Sequence, residues 1–216
     1  MATEVQGWAL LLLPAFFWLG VAVWQSAGAP NSTRRALALF AWGALGFPLA
    51  FGLQWLVLHG STLDDMPTWL GTLAVLGLVG PSEEVFKAAI ARYRFAGPHG
   101  FESPGEARMA GIAVAAGYTF LEHFGRFVTG HTPLPVLVFK ATLGSTLHAV
   151  ASTIWSPGLL PGGAWFERAL TAGVVHGIYN LGAFLPDWTD QPQWLGLAVQ
   201  AAVVVLLTPR LLRPRQ

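Results

Sequence analysis

The chain has 216 residues, of which 54% are hydrophobic and only 11% are charged. Soluble domains carry about 25% charged residues, so this chain has less than half of the charge that a water-facing surface needs. Its mean hydropathy is +0.53, and one soluble core of this size cannot hide all of its apolar runs. Composition therefore predicts an integral membrane protein. The absence of cysteine excludes disulfides, a thiolate nucleophile and thiolate metal ligands.

Hydropathy and turn-forming residues divide the chain into seven candidate membrane spans. Each is near the roughly 20 residues that a helix needs to cross the hydrocarbon core. Glycine and proline cluster in the loops between them. The spans are 8–25, 36–59, 68–93, 109–128, 135–155, 166–185 and 194–207. The predicted fold class is an all-α, polytopic transmembrane helical bundle, with residues 1–216 forming a single integral membrane domain.

The first span has an alternative interpretation as a secretory signal peptide, because Ala27, Gly28 and Ala29 resemble a cleavage site. The stretch before this span carries Glu4 and no lysine or arginine, whereas a signal peptide begins with positive charge. The apolar run is also long for a signal peptide. We expect a retained helix.

Charges at the span ends predict the orientation of the bundle. Arginines gather at one set of span ends, with Arg126 as the one exception, and five acidic residues lie at the other set. Because basic loops stay on the cytoplasmic side, we expect the N-terminus outside and the C-terminus in the cytoplasm. The basic set is Arg34, Arg35, Arg92, Arg94, Arg108, Arg168, Arg210, Arg213 and Arg215, and the acidic set is Glu4, Asp64, Asp65, Asp187 and Asp190.

Ionisable side chains also lie inside four of the predicted spans, where a charge is costly unless it is paired or faces the bundle interior. Such residues are candidates for function. Lys87 lies four residues after Glu83 and three after Glu84, so it can reach back to either carboxylate. His176 and Asn180 lie four residues apart, on one face of their helix.

Depth along the helices groups these candidates. At about 1.5 Å per residue, Glu83 and Glu84 lie roughly 13 Å from the inner boundary. His148 and His176 lie roughly 10 Å and 15 Å from the same boundary. Glu122, at roughly 21 Å, is the deepest, and no cation is obvious near it in the sequence. Three of the four positions therefore fall in one slab towards the cytoplasm, and helix tilt can bring Glu122 towards it.

These residues form four motifs on four consecutive predicted helices. The motifs are E-E-x-x-K, an aromatic residue followed by x-x-x-E, and two later histidines, the second with asparagine one turn on. In this order they resemble the PrsW family of intramembrane proteases, which look like distant relatives of the CAAX-processing and bacteriocin-processing membrane proteases. The resemblance lies within 68–185. The matching residues are Glu83, Glu84, Lys87, Tyr118, Glu122, His148, His176 and Asn180.

The second motif departs from the family pattern in two ways. Tyr118 stands where phenylalanine is more usual, which is a mild change. His123 directly follows Glu122, and the bacteriocin-processing relatives have histidine rather than glutamate in this motif. Either side chain is therefore a candidate to face the site. The two lie about 100° apart on a helix, so they do not both point squarely inward.

The resemblance implies an intramembrane endopeptidase in the bilayer of a prokaryotic cell membrane. Its substrate would be a membrane-linked protein or peptide, such as an anti-sigma-factor-like membrane protein. We expect no nucleic-acid partner. Because the chain lacks cysteine and a convincing serine triad, water is the expected nucleophile.

Two routes to an activated water fit these residues. In the metal route, which the family's usual classification favours, His148, His176 and Glu122 bind Zn²⁺ and leave one position open. Glu83 or Glu84 is then the general base.

In the metal-free, glutamic-type route, a glutamate and a histidine activate water directly, while His176 and Asn180 donate hydrogen bonds to the oxyanion. The sequence alone does not choose between the two routes. The catalytic candidates are Glu83, Glu84, Lys87, Glu122, His148, His176 and Asn180, and the metal-ligand candidates are Glu122, His148 and His176.

Two other classes of function also fit a buried set of glutamates, histidines and lysine. One is a proton-coupled transporter, since such sets form proton relays. Against it, the sequence has no internal repeat and no symmetric pair of broken helices, and Gly80-Pro81 is a single interruption. The other is a catalytically silent membrane scaffold, in which the acidic motif is an ordinary ion pair and the histidines bond neighbouring helices.

Overall fold

A computed structural model of the chain describes residues 2–26, 31–96, 101–129, 138–189 and 192–211. Within these ranges there is no strand, and seven helical segments follow one another, so the all-α prediction is confirmed. Five are regular: α1 (Ala2–Gln25), α2 (Ser32–Val57), α4 (Pro104–Val128), α6 (Trp165–Thr189) and α7 (Gln193–Leu211). Two contain a π-helical turn: α3 (Thr68–Ala74, π-turn Val75–Val79, Gly80–Arg94) and α5 (π-turn Lys140–Gly144, Ser145–Trp155).

Each of the seven predicted spans corresponds to one of these helices. The helices extend beyond several of the predicted bounds, most clearly in α4, which begins at Pro104 rather than at residue 109. Ser103 caps α4 by accepting a hydrogen bond from the Glu106 N–H, and proline suits the first helical position because its missing N–H would have no partner there. Glu106 also forms an ion pair with Arg35 of α2. A polar cap thus fixes the start of α4 before the apolar stretch begins.

Helix α3 widens for one turn directly before its acidic motif. Pro81 has no N–H, and its ring crowds the carbonyl four residues back. The helix takes a π-turn over Val75–Val79, in which the Gly80 N–H donates to the Val75 carbonyl five residues back. The sequence-predicted interruption at Gly80-Pro81 is therefore a wider turn within one continuous helix. The second π-turn, in α5, ends four residues before His148.

Helices α3 and α6 touch backbone to backbone at three glycines. A Cβ added to Gly173 would collide with Pro81 Cα, and a Cβ added to Gly177 would lie 2.9 Å from the Val75 carbonyl oxygen. A Cβ on Gly80 would lie 2.6 Å from the Gly177 nitrogen. Glycines spaced four apart permit this close approach between membrane helices. The contact places the acidic motif of α3 directly against the histidine of α6.

The centre of the bundle is α4, which packs against α1, α2 and α5. Its buried face consists largely of alanine and glycine, and such small residues let neighbouring helices approach closely. Helix α6 packs against α3, α5 and α7. The four helices that carry the motifs therefore surround one interior region.

Large apolar side chains cover much of the bundle exterior. Monomeric soluble proteins rarely expose such surface in contiguous patches of more than a few hundred Å², whereas lipid is a suitable solvent for it. Exposed examples are Leu13, Phe16, Phe17, Trp24, Leu45, Leu49, Phe51, Trp55, Leu56, Trp69, Leu73, Trp194, Val205 and Leu206.

One helix in the described ranges, Ser32–Val57, is long and apolar enough by itself to cross a membrane, with a hydropathy of 1.8. Leu12–Gln25 and Gln193–Pro209 are shorter apolar helices. The motif-bearing helices carry the ionisable residues, which lower their hydropathy. The predicted seven-span topology and its orientation stay predictions.

Candidate active site

Side chains from α3, α4, α5 and α6 meet in one hydrogen-bonded cluster in the interior. The contacts connect six of the seven catalytic candidates. The six are Glu83, Glu84, Lys87, Glu122, His148 and His176. The seventh, Asn180, is half-buried one turn after His176, and the contacts that join the other six do not include it.

Glu84 is fully buried, and three donors surround its carboxylate. Its Oε1 lies 2.6 Å from Lys87 Nζ and 2.9 Å from His176 Nδ1. Its Oε2 accepts a hydrogen bond from Trp155 Nε1 at 2.9 Å. Since an ionised carboxylate only accepts hydrogen bonds, the His176 proton is assigned to Nδ1. Glu84 therefore orients Lys87 and His176, and its oxygens are occupied.

Lys87 links His148 of α5 to the pair formed by Glu84 and His176. Its Nζ also lies 2.7 Å from His148 Nδ1 and 4.4 Å from the centre of the Tyr118 ring, an arrangement that favours a cation. Because an ammonium group only donates, the His148 proton is assigned to Nε2. That nitrogen lies 3.3 Å from Glu122 Oε2. The two histidines therefore carry their protons on different ring nitrogens.

Glu83 faces the opposite nitrogen of His176. Its Oε2 lies 3.6 Å from His176 Nε2. Because the His176 proton is on Nδ1, Nε2 is an acceptor, and two acceptors face each other. Oε2 is buried and has no hydrogen-bond partner among the described residues. A buried oxygen in this position costs free energy unless a cation, a proton or a water lies beside it.

Glu83, His148 and His176 together fit a divalent metal ion. All three are buried, and each offers one ligand atom within 4.8 Å of the others. Two histidines and a glutamate are a known ligand set of catalytic zinc, with the fourth position left open. The hydrogen bond from His176 Nδ1 to Glu84 is the carboxylate–histidine contact that orients metal-binding imidazoles. The unpartnered Glu83 Oε2 supports this fit.

The order of the motifs and the geometry can be compared with known families. A model of the PrsW family of intramembrane metalloproteases matches residues 31–208. The chain belongs to the PrsW family. No curated protein and no solved structure matches it. The resemblance found in the sequence is thereby confirmed, and PrsW membership makes the protein one of a family of membrane hydrolases.

The second PrsW motif directs its glutamate towards the cluster. Glu122 approaches His148, whereas the neighbouring His123 is buried with Nε2 directed towards Gly144 of α5. The expectation that Glu122 lacks a local cation was wrong. Arg126, one turn later, places Nη2 2.9 Å and Nε 3.2 Å from Glu122 Oε1. This pairing also accounts for Arg126 as the exception to the charge bias of the span ends.

Three features of this PrsW site were not predicted from the sequence. Trp155, a donor to Glu84, is not among the predicted candidates, because no spacing rule connects it to Glu84. Arg126 was detectable, because it stands four residues after Glu122, the spacing of helical ion pairs. The glycine contact between α3 and α6 was also detectable, since Gly173 and Gly177 form a small-x-x-x-small pattern.

Proposed function

We propose that this protein is an intramembrane endopeptidase that hydrolyses a peptide bond of a membrane-linked protein with an activated water molecule. PrsW membership supports the reaction class. The observation that carries the proposal is the buried Glu83 Oε2, which faces the acceptor nitrogen of His176 and has no hydrogen-bond partner among the described residues. A metal ion or a reacting water between Glu83 Oε2 and His176 Nε2 would bond to both atoms.

In our preferred route, Glu83, His148 and His176 would hold Zn²⁺. The His148 nitrogen that binds the ion would carry no proton, so His148 would give up its contact with Lys87 at Nδ1 or with Glu122 at Nε2. Bound zinc supplies a Lewis acid that acidifies water and polarises a carbonyl. This ligand set replaces Glu122 of the sequence-based hypothesis with Glu83. The reason is distance, because one ligand atom from each of the three residues lies within 4.8 Å of the others.

Glu122 is our candidate for the general base. Arg126 occupies its Oε1, whereas its Oε2 lies 3.3 Å from His148 Nε2 and can take a proton when that nitrogen carries none. Glu84 is less suited to this task, because both of its oxygens already accept hydrogen bonds from the buried donors Lys87, Trp155 and His176. The pair of Glu122 and His148 also provides the acid and base of a metal-free route, with proton transfer between Oε2 and Nε2.

The location that we propose is a multi-pass bundle in a lipid bilayer, with the N-terminus outside. The exposed apolar side chains of α1, α2, α3 and α7 support the lipid contact. A membrane-linked substrate then reaches the cluster laterally from the bilayer. An anti-sigma-factor-like membrane protein is one such substrate class.

The test uses purified protein reconstituted in vesicles of phosphatidylethanolamine and phosphatidylglycerol. The probes are single-span synthetic peptides that carry a fluorophore and a quencher on either side of the membrane-buried region. We expect cleavage and about one Zn²⁺ per chain by elemental analysis. Glu83→Gln and His176→Ala should abolish both. Glu167→Gln, on the exposed start of α6, is the matched control and should retain both.

Two results would change the proposal. If a zinc-free preparation still cleaves the peptides, the metal has no part in the mechanism. Glu122 and His148 are then the groups that activate water. Unchanged cleavage by Glu83→Gln and His176→Ala contradicts the site itself.

A further inference from the structure

An open cleft lies at the end of the bundle where α3 finishes and α6 begins. It has a volume of about 370 Å³, and its lining consists of Arg92, Trp165 and the loop residues 158 and 160–163. The proposed reaction uses none of these residues. Arg92 is half-buried and brings a positive charge to the lining, whose other residues are uncharged. We call this space the Arg92 cleft.

Glycines shape the loop that forms one wall of the Arg92 cleft. A Cβ added to Gly158 would lie 2.6 Å from Trp165 Cα, and one added to Gly163 would lie 2.5 Å from the Gly158 carbonyl oxygen. Gly162 has a φ of 70°, in the left-handed region that favours glycine. The loop therefore packs closely against the start of α6, and these three positions place no side chain in the cleft.

The surroundings of the Arg92 cleft suit the interface between a bilayer and water. Tyr93 and Trp165 pack edge to face with ring centres 5.7 Å apart, and such aromatic residues are enriched at the level of lipid headgroups. The end of α3 meets the starts of α2, α4 and α6 here. In the described part of the chain, six arginines and three glutamates lie at this end: Arg34, Arg35, Arg92, Arg94, Arg108 and Arg168, and Glu102, Glu106 and Glu167.

An exposed apolar stripe runs along α6 from the edge of the Arg92 cleft. Phe166, Leu170, Val174 and Ile178 are spaced four apart, on one side of the helix, and each is between 39% and 46% exposed. From first to last they extend about 18 Å, close to the depth of one hydrocarbon leaflet, about 15 Å. Phe166 packs edge to face on Trp165, so the stripe begins at the cleft. We call it the α6 stripe.

We propose that the Arg92 cleft binds the phosphate of phosphatidylglycerol, an anionic phospholipid, with one acyl chain of the same lipid along the α6 stripe. A guanidinium group matches phosphate with paired N–H donors, and basic pockets between membrane helices bind anionic headgroups. The surplus of arginine favours a lipid with net negative charge over a zwitterionic one. This site goes beyond the proposed reaction and rests on the proposed location in a bilayer.

The primary test measures lipid binding to the purified full chain in a nonionic detergent by native mass spectrometry. Wild type should retain about one dioleoyl-phosphatidylglycerol per chain. Dioleoyl-phosphatidylcholine, which has the same acyl chains and no net charge, should bind at least about 10-fold more weakly. Arg92→Gln should weaken phosphatidylglycerol binding by about 10-fold, because the phosphate loses charge-assisted hydrogen bonds.

Arg34→Gln is the matched control for Arg92→Gln. Arg34 is an exposed arginine at the same end of the bundle, and it does not line the cleft. The substitution removes the same charge, so it should leave phosphatidylglycerol binding at the wild-type level. An equal loss in both variants would indicate attraction to the charged end as a whole, and the Arg92 cleft would then not be the site.

The second test locates the acyl chain on the wild-type protein and needs no variant. Phosphatidylglycerol with a photoactivatable diazirine in its acyl chain is added to the protein in detergent, and the cross-linked peptides are identified by mass spectrometry. We expect the label to concentrate on residues 166–178 of α6. Label spread evenly over the exposed apolar side chains of α1, α2 and α7 would contradict the α6 stripe.

Inorganic phosphate distinguishes a lipid from a free anion as the ligand. It should not displace phosphatidylglycerol at equal concentration, because it makes no contact with the α6 stripe. Complete displacement would identify a free-anion site and overturn the lipid assignment.

These measurements require no peptide cleavage, so the two proposals fail separately. Selective phosphatidylglycerol binding by a protein that cleaves no peptide would support the lipid site and contradict the protease. A protein that cleaves the peptides, but whose phosphatidylglycerol binding is unchanged by Arg92→Gln, would support the protease and contradict the lipid site.

Discussion

The two sides of the buried glutamate–histidine cluster differ in how completely their charges are enclosed. On the side of α3 and α6, Glu84 and Lys87 are both fully enclosed, and the carboxylate has three donors. On the side of α4, the Arg126 side chain is 41% exposed and the Glu122 side chain 15% exposed. We call the first the enclosed network and the second the edge pair.

This contrast indicates that the two sides contribute differently to stability and to proton exchange. In the enclosed network each group satisfies another, so removing one member leaves a buried charge without compensation, which is strongly destabilising. At the edge pair, solvent screens the charges, and exposed ion pairs contribute little to the free energy of unfolding. The enclosed network thus holds the geometry, while the edge pair leaves a carboxylate oxygen able to exchange protons.

The largest effect is expected from Glu84→Ala, which breaks the enclosed network. Lys87, Trp155 and His176 would each lose a partner in the interior. Losing one partner of a buried pair costs about 3–5 kcal/mol, which we expect to see in the free energy of unfolding in detergent. Glu167→Ala, at an exposed position of the same residue type, should change it by less than about 0.5 kcal/mol. An equal, small effect of both substitutions would contradict the enclosed network.

A smaller effect is expected from Gly173→Ala, which pushes α6 away from α3. The added methyl group collides with Pro81 Cα, and overpacking of this kind costs about 1–3 kcal/mol. Gly125→Ala is the counterpart near the edge pair, where the added Cβ meets only Phe47 at 3.9 Å. Thermal unfolding in detergent should separate the two variants. If Gly173→Ala proves as stable as Gly125→Ala, the close helix contact is not present.

The smallest effect is expected from Arg126→Gln. The ion pair with Glu122 is partly exposed, so its loss should lower the free energy of unfolding by no more than about 1 kcal/mol. The difference from wild type should shrink further at high salt, because salt screens exposed charges. Denaturation at low and high ionic strength measures both effects. A loss as large as that of Glu84→Ala would erase the distinction between the two sides.

Contacts between residues on one helix could be predicted from the sequence. The spacing predicted that Lys87 can reach either Glu83 or Glu84, and the structure contains the ion pair with Glu84 at 2.6 Å. The contact between Lys87 and His148 was not predictable, because the two residues are 61 positions apart and no periodicity connects different helices. The same limit applies to Trp155 and Glu84, which are 71 positions apart.

The sequence alone determined the helical fold class, the number and order of the helices in the part of the chain that the structure describes, and the family. Composition needs only residue counts, hydropathy needs a window of about 19 residues, and spacing needs only neighbouring turns of one helix. None of the three depends on how the helices pack. Only the tertiary structure decided that Glu84 has three donors while Oε2 of its neighbour Glu83 has none among the described residues. It also decided that Glu122 pairs with Arg126. Those outcomes depend on how closely α3 packs against α6 and on the direction each side chain takes in the interior.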